Sequence, residues 1–261
     1  MPIDFHAHFN RFSYATREAD LTWRENIQEN IIDVRGKTIV DIGCGGGIYT
    51  LALAEMGATS VTGVDFSQAE IKAAKKRYAD IPTITFTVGN AFSTGLQSRQ
   101  YDIVLERALI HHLQQADLAT CFAEARRILK PGGMLIIQDR TPEDCMLPGS
   151  ETHLRYYIVT HYPRLLEKDV ARRHASTVVV AALQQAGFVQ IEEQQLWETR
   201  QTYKNVDELA QDVLVRTGRS ILHELTDEEL QELVKTMRER LKDHQGEIVE
   251  QDRWTMWDVR T

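Results

Sequence analysis

One segment constrains this chain more than any other. A β-branched run breaks into glycines, Ile39-Val40-Asp41-Ile42-Gly43-Cys44-Gly45-Gly46-Gly47, and resumes as Tyr49-Thr50-Leu51-Ala52-Leu53-Ala54. That order predicts a strand, a tight turn and a helix, the unit with which open α/β sheets hold a nucleotide-like ligand. Gly43, Gly45 and Gly47 permit positive φ, and without side chains they let the backbone approach a ligand beside the free N–H groups of a helix start. The loop also excludes ligands. A dinucleotide fingerprint G-x-G-x-x-G/A begun at Gly43 requires Gly or Ala where Ile48 stands, and one begun at Gly45 fails at Thr50. No G-x-x-x-x-G-K-[ST] occurs, so no loop is built to wrap a chain of phosphates. A nucleoside without phosphates fits best.

Ser60-Val61-Thr62-Gly63-Val64-Asp65 reads as a second strand ending in an acid. Asp65 lies 22 positions beyond Gly43 (65 − 43), close to the about 20 at which an acid accepts from ribose hydroxyls. Ser67-Gln68-Ala69-Glu70 has the S-x-x-E form of a capping box, which starts a helix just after Phe66 and leaves Asp65 at the strand's carboxyl end.

With these residues the chain resembles the class I S-adenosylmethionine-dependent methyltransferase superfamily, whose first motif is acid-x-Gly-x-Gly-x-Gly, here Asp41-Ile42-Gly43-Cys44-Gly45-Gly46-Gly47. Gly89-Asn90-Ala91-Phe92 resembles the adenine-contacting motif, with Asn90 where an acid often stands. The segment from Tyr101 to Leu113, which includes Glu106, Arg107, His111 and His112, resembles the fourth strand and the loop after it. Leu129-Lys130-Pro131-Gly132-Gly133 and Ala186-Gly187-Phe188 resemble the turns into strands five and six. The resemblance covers residues 38 to 195 and implies S-adenosyl-L-methionine as cofactor and S-adenosyl-L-homocysteine as product. By this likeness Gly43 and Gly45 face the methionine part, Asp65 the ribose diol, Phe66 the adenine face, and Asn90 and Ala91 the adenine edge. Glu106 or Arg107 meets the methionine end through main-chain groups, and Asp41 orients the glycine turn. Tyr14, in an aromatic-rich amino-terminal segment, is assigned to the cofactor carboxylate.

The alternating strands and helices predict an α/β, Rossmann-like sheet built from right-handed βαβ units. The resemblance extends this to seven strands, mostly parallel, helices on both faces, in the order 3-2-1-4-5-7-6 with the last antiparallel. Strands six and seven are expected at 188 to 196 and 253 to 259. Residues 1 to 261 read as a single domain with an N-terminal helical cap at 1 to 34 and a helical insert at 205 to 246 before the last strand. In that insert Asn205-Val206-Asp207-Glu208 and Thr226-Asp227-Glu228-Glu229 resemble capping boxes, and Leu230, Leu233, Val234, Met237 and Leu241 recur at helical spacing.

Forty-three per cent hydrophobic and 26% charged residues over 261 positions suit one sizeable core. A formal net charge of −8 argues against a nucleic-acid backbone as partner. No apolar run reaches the about 18 residues that cross a bilayer, and no signal-peptide core is present, so a cytoplasmic location is expected, as a monomer or homodimer. Cys44, Cys121 and Cys145 lack C-x-x-C spacing, so neither a disulfide framework nor a zinc site is expected. Asp4-x-His6-x-His8 lacks partners for a metal, and His223-Glu224 has Asp227 where a zincin has its second His.

For chemistry, His111 follows the fourth strand, and an imidazole with pKa near about 6.5 can take a proton from an acceptor. Tyr156 and Tyr157, after strand five, suit the aromatic lining of a small-molecule acceptor pocket. Arg216 and Arg219, flanking Gly218, are candidates for a substrate carboxylate or phosphate. Two alternatives stand beside methyl transfer: a nicotinamide-dependent dehydrogenase, against which Ile48 speaks, and a cofactor-binding regulatory protein without turnover.

Overall fold

A short helix α1 (Leu21–Asn26), capped by the Asp20 carboxylate, which accepts from Thr22 N–H at 2.9 Å, runs through a π-helical turn at Ile27–Ile31. This is a computed structural model, and it describes residues 19–216 and 218–260. Then come β1 (Thr38–Ile42), α2 (Ile48–Glu55), β2 (Ser60–Asp65), α3 (Gln68–Arg77), β3 (Ile84–Val88), β4 (Tyr101–Arg107), α4 (Leu118–Ile128) and β5 (Leu129–Asp139). After β5 the chain forms α5 (Pro142–Cys145), α6 (Arg155–His161), α7 (Pro163–Ala171), α8 (Ser176–Gln185), β6 (Gln190–Tyr203), α9 (Val206–Leu214), α10 (Asp227–Arg240) and β7 (Ile248–Arg260).

The seven strands lie in the order β3-β2-β1-β4-β5-β7-β6. Pairs β1–β2, β1–β4, β2–β3 and β4–β5 are parallel, and β5–β7 is antiparallel, with Leu135 opposite Val259 and Ile137 opposite Trp257. The order and the antiparallel end are those expected from the sequence. Strands six and seven are longer than the expected 188 to 196 and 253 to 259, because each continues through polar positions whose inward faces are buried, such as Tyr203 and Glu250.

The described residues form two compact units, and the residues of the expected insert at 205 to 246 fall in the second of them. One holds 19–141, 172–196 and 254–260, and the other 142–171 and 197–253. In the first, mostly β-branched residues fill both faces of the parallel strands: on one, Val40, Ile42, Val104, Leu135 and Ile137 pack with Phe122 and Ile128 of α4 and Val179 and Leu183 of α8. On the opposite face Ile39, Val61, Ile103 and Ile136 pack with Trp23 and Leu53. The expected cap at 1 to 34 is described only from residue 19, where Trp23 is fully buried and its indole N–H donates to Gln138 Oε1 at 2.8 Å.

The second unit has its own core of Leu154, Ile158, Tyr203, Leu209, Leu233 and Met237. Sequence patterning missed that 142–171 contributes to this core, through Leu154, Ile158, Val159 and Leu165, which cluster with the apolar stripe of α10. Thr226 and Glu229 form a complete capping box at α10, with Thr226 Oγ1 accepting from Glu229 N–H and Glu229 Oε2 from Thr226 N–H. Asn205 instead caps α9 alone, accepting from the N–H groups of Asp207 and Glu208 at 3.0 Å each, while Glu208 turns back to Lys204 N–H.

Candidate functional site

The carboxyl ends of β1, β2, β3 and β4 gather most of the expected residues, all within the sheet unit. Gly43, Gly45 and Gly47 have φ of 77°, 49° and 84°, the left-handed region that only glycine adopts at little cost. Gly43 N–H and Cys44 N–H both donate to Val64 O, at 2.8 and 3.0 Å, which ties the turn to the end of β2. A Cβ at Gly45 would meet nothing within 4 Å, so this backbone faces open space where a ligand can approach. At Gly47 it would meet Phe86 at 2.7 Å, so that glycine serves packing.

Asp65 ends β2 and is buried, with 8% of its surface exposed. One carboxylate oxygen accepts from Gly45 N–H at 2.9 Å and the other from Ser67 N–H at 2.8 Å. The carboxylate therefore locks the glycine turn to the start of α3, and its remaining lone pairs can accept from hydroxyls. Ser67 caps α3 by accepting from Glu70 N–H at 3.3 Å.

Large apolar side chains stand exposed around this acid. Phe66 follows it, Val88 pairs with it across β2–β3, and Phe92 follows the β3 end; they are 59%, 47% and 41% exposed. An exposed apolar patch of this kind marks a ligand surface. The sequence singled out Phe66 alone, because nothing in the spacing of Val88 or Phe92 distinguishes them from core residues. Ala91 is buried in the same loop. Asn90 Oδ1 accepts from the N–H groups of Phe92 and Ser93, both at 2.9 Å, so that oxygen builds the turn.

Asp41 is buried beneath the glycine loop, and its carboxylate accepts from Thr50 Oγ1 at 2.7 Å. Burial pushes its pKa up to about 6, with the nearby Asp65 charge adding and the Thr50 bond and Arg107 opposing. Glu106, expected to act through its main chain, has a side chain fully buried in β4 within hydrogen-bond range of the Cys121 thiol, which lies 3.5 Å from Oε1. Burial pushes its pKa up to about 7. Arg107 lies over the Tyr49 ring, 3.9 Å from its centroid, and over Trp254 at 4.6 Å; Arg140 covers Trp254 at 4.3 Å. Such a stack fixes both guanidinium groups in place.

His111 lies in a 3-10 turn after β4, with Nδ1 2.8 Å from Asp139 Oδ2 and 3.0 Å from Oδ1. Burial would raise the Asp139 pKa, but His111, the Arg173 guanidinium at 2.7 Å and Arg140 N–H hold it well below the usual carboxylate range. Burial pushes His111 down to about 4 against the pull of Asp139, and burial with the neighbouring His111 ring, 4.0 Å away, pushes His112 down to about 3. An anionic Asp139 only accepts, so His111 donates from Nδ1 and Nε2 keeps its lone pair. His174 Nε2 reaches Ile110 O at 3.0 Å and Leu113 O at 3.1 Å, holding the turn in place. Asp139, Arg173 and His174 were missed from the sequence; the available signal was an acid closing a buried apolar strand at its carboxyl end.

The remaining expectations fare differently. Tyr14 lies outside the described residues. Tyr156 and Tyr157 lie on α6 of the helical unit, where Arg240 covers the Tyr157 ring at 4.9 Å. Arg216 and Arg219, the candidates for a substrate anion, both have partners within the protein. Arg219 is 3% exposed and donates to Asp212 at 2.6 Å, to Tyr203 Oη at 3.1 Å and to Glu250. Arg216 donates to the carbonyls of Leu222 and Leu225 and to Asp227. Partners from β6, α9 and β7 lie too far along the chain for a reading of four consecutive residues to see.

Residues 40–137 match a protein family described as a methyltransferase domain. An uncharacterized 37.1 kDa protein of a Streptomyces fradiae transposon is 32% identical over 126 residues, 47% of this chain and 36% of its own length. An uncharacterized methyltransferase of Synechocystis is 29% identical over 160 residues, 61% of this chain and 70% of its own. The chain thus spans from about a third to 70% of these relatives. Among solved structures, a phosphoethanolamine N-methyltransferase of Haemonchus contortus, in complex with phosphomonomethylethanolamine and S-adenosylhomocysteine, superposes with TM-score 0.61 at 17% identity. That match covers 97% of this chain and 57% of the other, and at such identity it shows the fold.

Proposed function

From the match of residues 40–137 to a methyltransferase domain, we propose that the chain is a class I S-adenosylmethionine-dependent methyltransferase that transfers a methyl group from S-adenosyl-L-methionine to a small-molecule acceptor. The observation that carries the reading is Asp65, a buried carboxylate at the end of β2 that touches the backbone of Gly45 and sits beside the exposed Phe66 ring. A nucleoside without phosphates needs this set: an acceptor for a ribose diol, a flat apolar surface for a base, and bare backbone for the tail.

When bound, the cofactor supplies a methyl group already activated by its sulfonium charge. Gly43 and Gly45 would present backbone to its methionine part, Asp65 would accept from the ribose hydroxyls, and Phe66, Val88, Ala91 and Phe92 would enclose the base. Arg107, fixed over Tyr49, stands at the end of β4 where the methionine end would lie. His111 would take the acceptor's proton at Nε2 while Asp139 keeps the ring in its tautomer and orientation. Holding the acceptor in line contributes several kcal/mol, up to about 7–11, without any covalent role for the protein.

Two further expectations belong to this reading. The net charge of −8 supports a small acceptor over a nucleic acid, and no helix among the described residues is long and apolar enough to cross a membrane. Three free cysteines, none paired, suit the reducing cytoplasm.

Calorimetric titration with S-adenosylhomocysteine, beside NADH and with Asp65→Ala, tests the proposal. Micromolar binding of the first, none of NADH, and at least tenfold weakening in Asp65→Ala is the expected result. NADH binding without S-adenosylhomocysteine binding would replace the reading with the dehydrogenase alternative.

A further inference from the structure

At the amino ends of β4 and β5, the sheet edge opposite Asp65 and His111, lies a groove of about 870 Å³. Four of its lining residues are cationic: Arg99, Arg126, Arg127 and Lys130. Two of these are committed. Arg127 donates to Glu124 at 2.7 Å and to Ser98 Oγ at 2.8 Å, and Lys130 donates to Asp102 at 2.9 Å and Thr38 Oγ1 at 3.2 Å. The guanidinium groups of Arg99 and Arg126 have no hydrogen-bond or ion-pair partner among the described residues. In a chain of net charge −8, this groove carries two cations in excess of the carboxylates paired with them.

The backbone places both arginines. Arg99 has φ 58°, a left-handed conformation that costs a non-glycine residue about 1–2 kcal/mol. It persists because Arg99 N–H donates to Arg127 O at 3.1 Å and Gln100 N–H to Ile128 O at 2.9 Å, which also sets Arg99 beside Arg127. Arg126 lies over the turn after α8, so close that a Cβ at Gly187 would stand 3.3 Å from its guanidinium carbon. Ala123, Ala186, Leu129 and Pro131 add apolar lining to the groove.

We propose that this groove binds the diphosphate group of an organic diphosphate, one guanidinium of Arg99 or Arg126 to each phosphoryl unit, with the apolar lining against the organic part. Guanidinium forks match phosphoryl oxygens bidentately, and the volume suits a ligand of nucleotide size. The site is distinct from the proposed cofactor site, whose glycine loop is not built to wrap phosphates, and it does not depend on the methyl-transfer reading.

The test is calorimetric titration of the full chain at low ionic strength with inorganic pyrophosphate, ADP and adenosine in separate runs, with S-adenosylhomocysteine present throughout. Saturable binding of pyrophosphate and ADP but not adenosine is expected, and Arg99→Gln/Arg126→Gln should weaken it at least tenfold. Tighter ADP than pyrophosphate assigns the organic part to the apolar lining; equal binding confines recognition to the diphosphate. Lys75→Gln/Lys76→Gln, the same charge change on α3, should leave binding unaltered. Arg99→Gly, which relieves the left-handed strain, should melt at the same or higher temperature and yet bind pyrophosphate more weakly. Absence of saturable binding, equal binding in the double variant, or equal loss in the α3 variant would overturn the proposal.

Discussion

His111 Nδ1 stands 2.8 Å from Asp139 Oδ2, and Arg173 reaches the other oxygen of the same carboxylate at 2.7 Å. The Arg173 charge stabilises the anion and disfavours a second cation on His111, so the pair is a carboxylate and a neutral imidazole. Nuclear magnetic resonance titration of the ring protons should show His111 changing at about 4 and His112 at about 3, well below the ordinary 6.5. Because the folded-state values are lowered, both histidines contribute stability that is complete above 6.5 and is lost as pH falls toward 4. His111→Gln should flatten that part of the urea midpoint against pH. With any acceptor that is turned over, His111→Ala should lower kcat about 10²–10⁴-fold with cofactor affinity kept, and an unaltered kcat would assign proton transfer elsewhere.

Glu106 predicts the opposite slope at higher pH. Its folded-state value is raised from 4.5 to about 7 by burial, so its contribution is complete at and below 4.5 and is lost as pH rises through 7. Ionisation above 7 therefore costs on the order of 1–3 kcal/mol of stability. Glu106→Gln should leave the melting temperature near its starting value at pH 5 and raise it at pH 8.5. Equal shifts at both pH values would show that the carboxyl is not held neutral.

The glycine loop and Asp65 were legible because they rest on short-range rules: β-branched runs, positive-φ glycines, and a cap two residues after a strand; the strand order was legible only through the family resemblance. The helical unit was only half legible. Residues 205 to 246 announce their helices by capping residues and apolar spacing, whereas 142–171 carries short helices whose burial depends on partners about 70 residues away, such as Tyr162 on the Glu229 carbonyl at 3.0 Å. Asp139 was invisible for the same reason, since an acid after an apolar strand gains its role only when His111, 28 positions earlier, folds against it.

Arg219 lies in a buried network with Arg200, Tyr203, Asp212 and Glu250, in which Arg200 Nη1 reaches Tyr203 Oη at 2.6 Å and Glu250 Oε2 at 2.9 Å. Burial alone would raise the Glu250 pKa; Arg219 and Arg200 hold it down. Arg219→Gln leaves Glu250 with one cation in place of two, and the loss of a buried partner costs about 3–5 kcal/mol. Urea denaturation should show that loss, whereas Arg216→Gln, which keeps its surroundings partly solvated, should cost about 1 kcal/mol. Both variants should bind S-adenosylhomocysteine as before while folded. A raised KM with unchanged stability in Arg219→Gln would support the substrate-anion role.

Two glycines separate ligand approach from packing. At Gly45 a Cβ would point into open space, but φ is 49°, so Gly45→Ala costs about 1–2 kcal/mol of backbone strain and places a methyl group where the cofactor should lie. At Gly63, on β2, a Cβ would stand 2.5 Å from Cδ1 of Phe86, which also packs against Gly47, and 2.9 Å from Sγ of Cys44 in the glycine loop. Overpacking there costs about 1–3 kcal/mol. Gly45→Ala should therefore weaken S-adenosylhomocysteine binding more than tenfold with a modest fall in melting temperature. Gly63→Ala should lower the melting temperature at least as much, with a smaller change in affinity. Parallel calorimetry and thermal melts on the two variants decide it. An affinity loss confined to Gly63→Ala would mean that the loop acts through its packing on Phe86 and not through the bare backbone at Gly45.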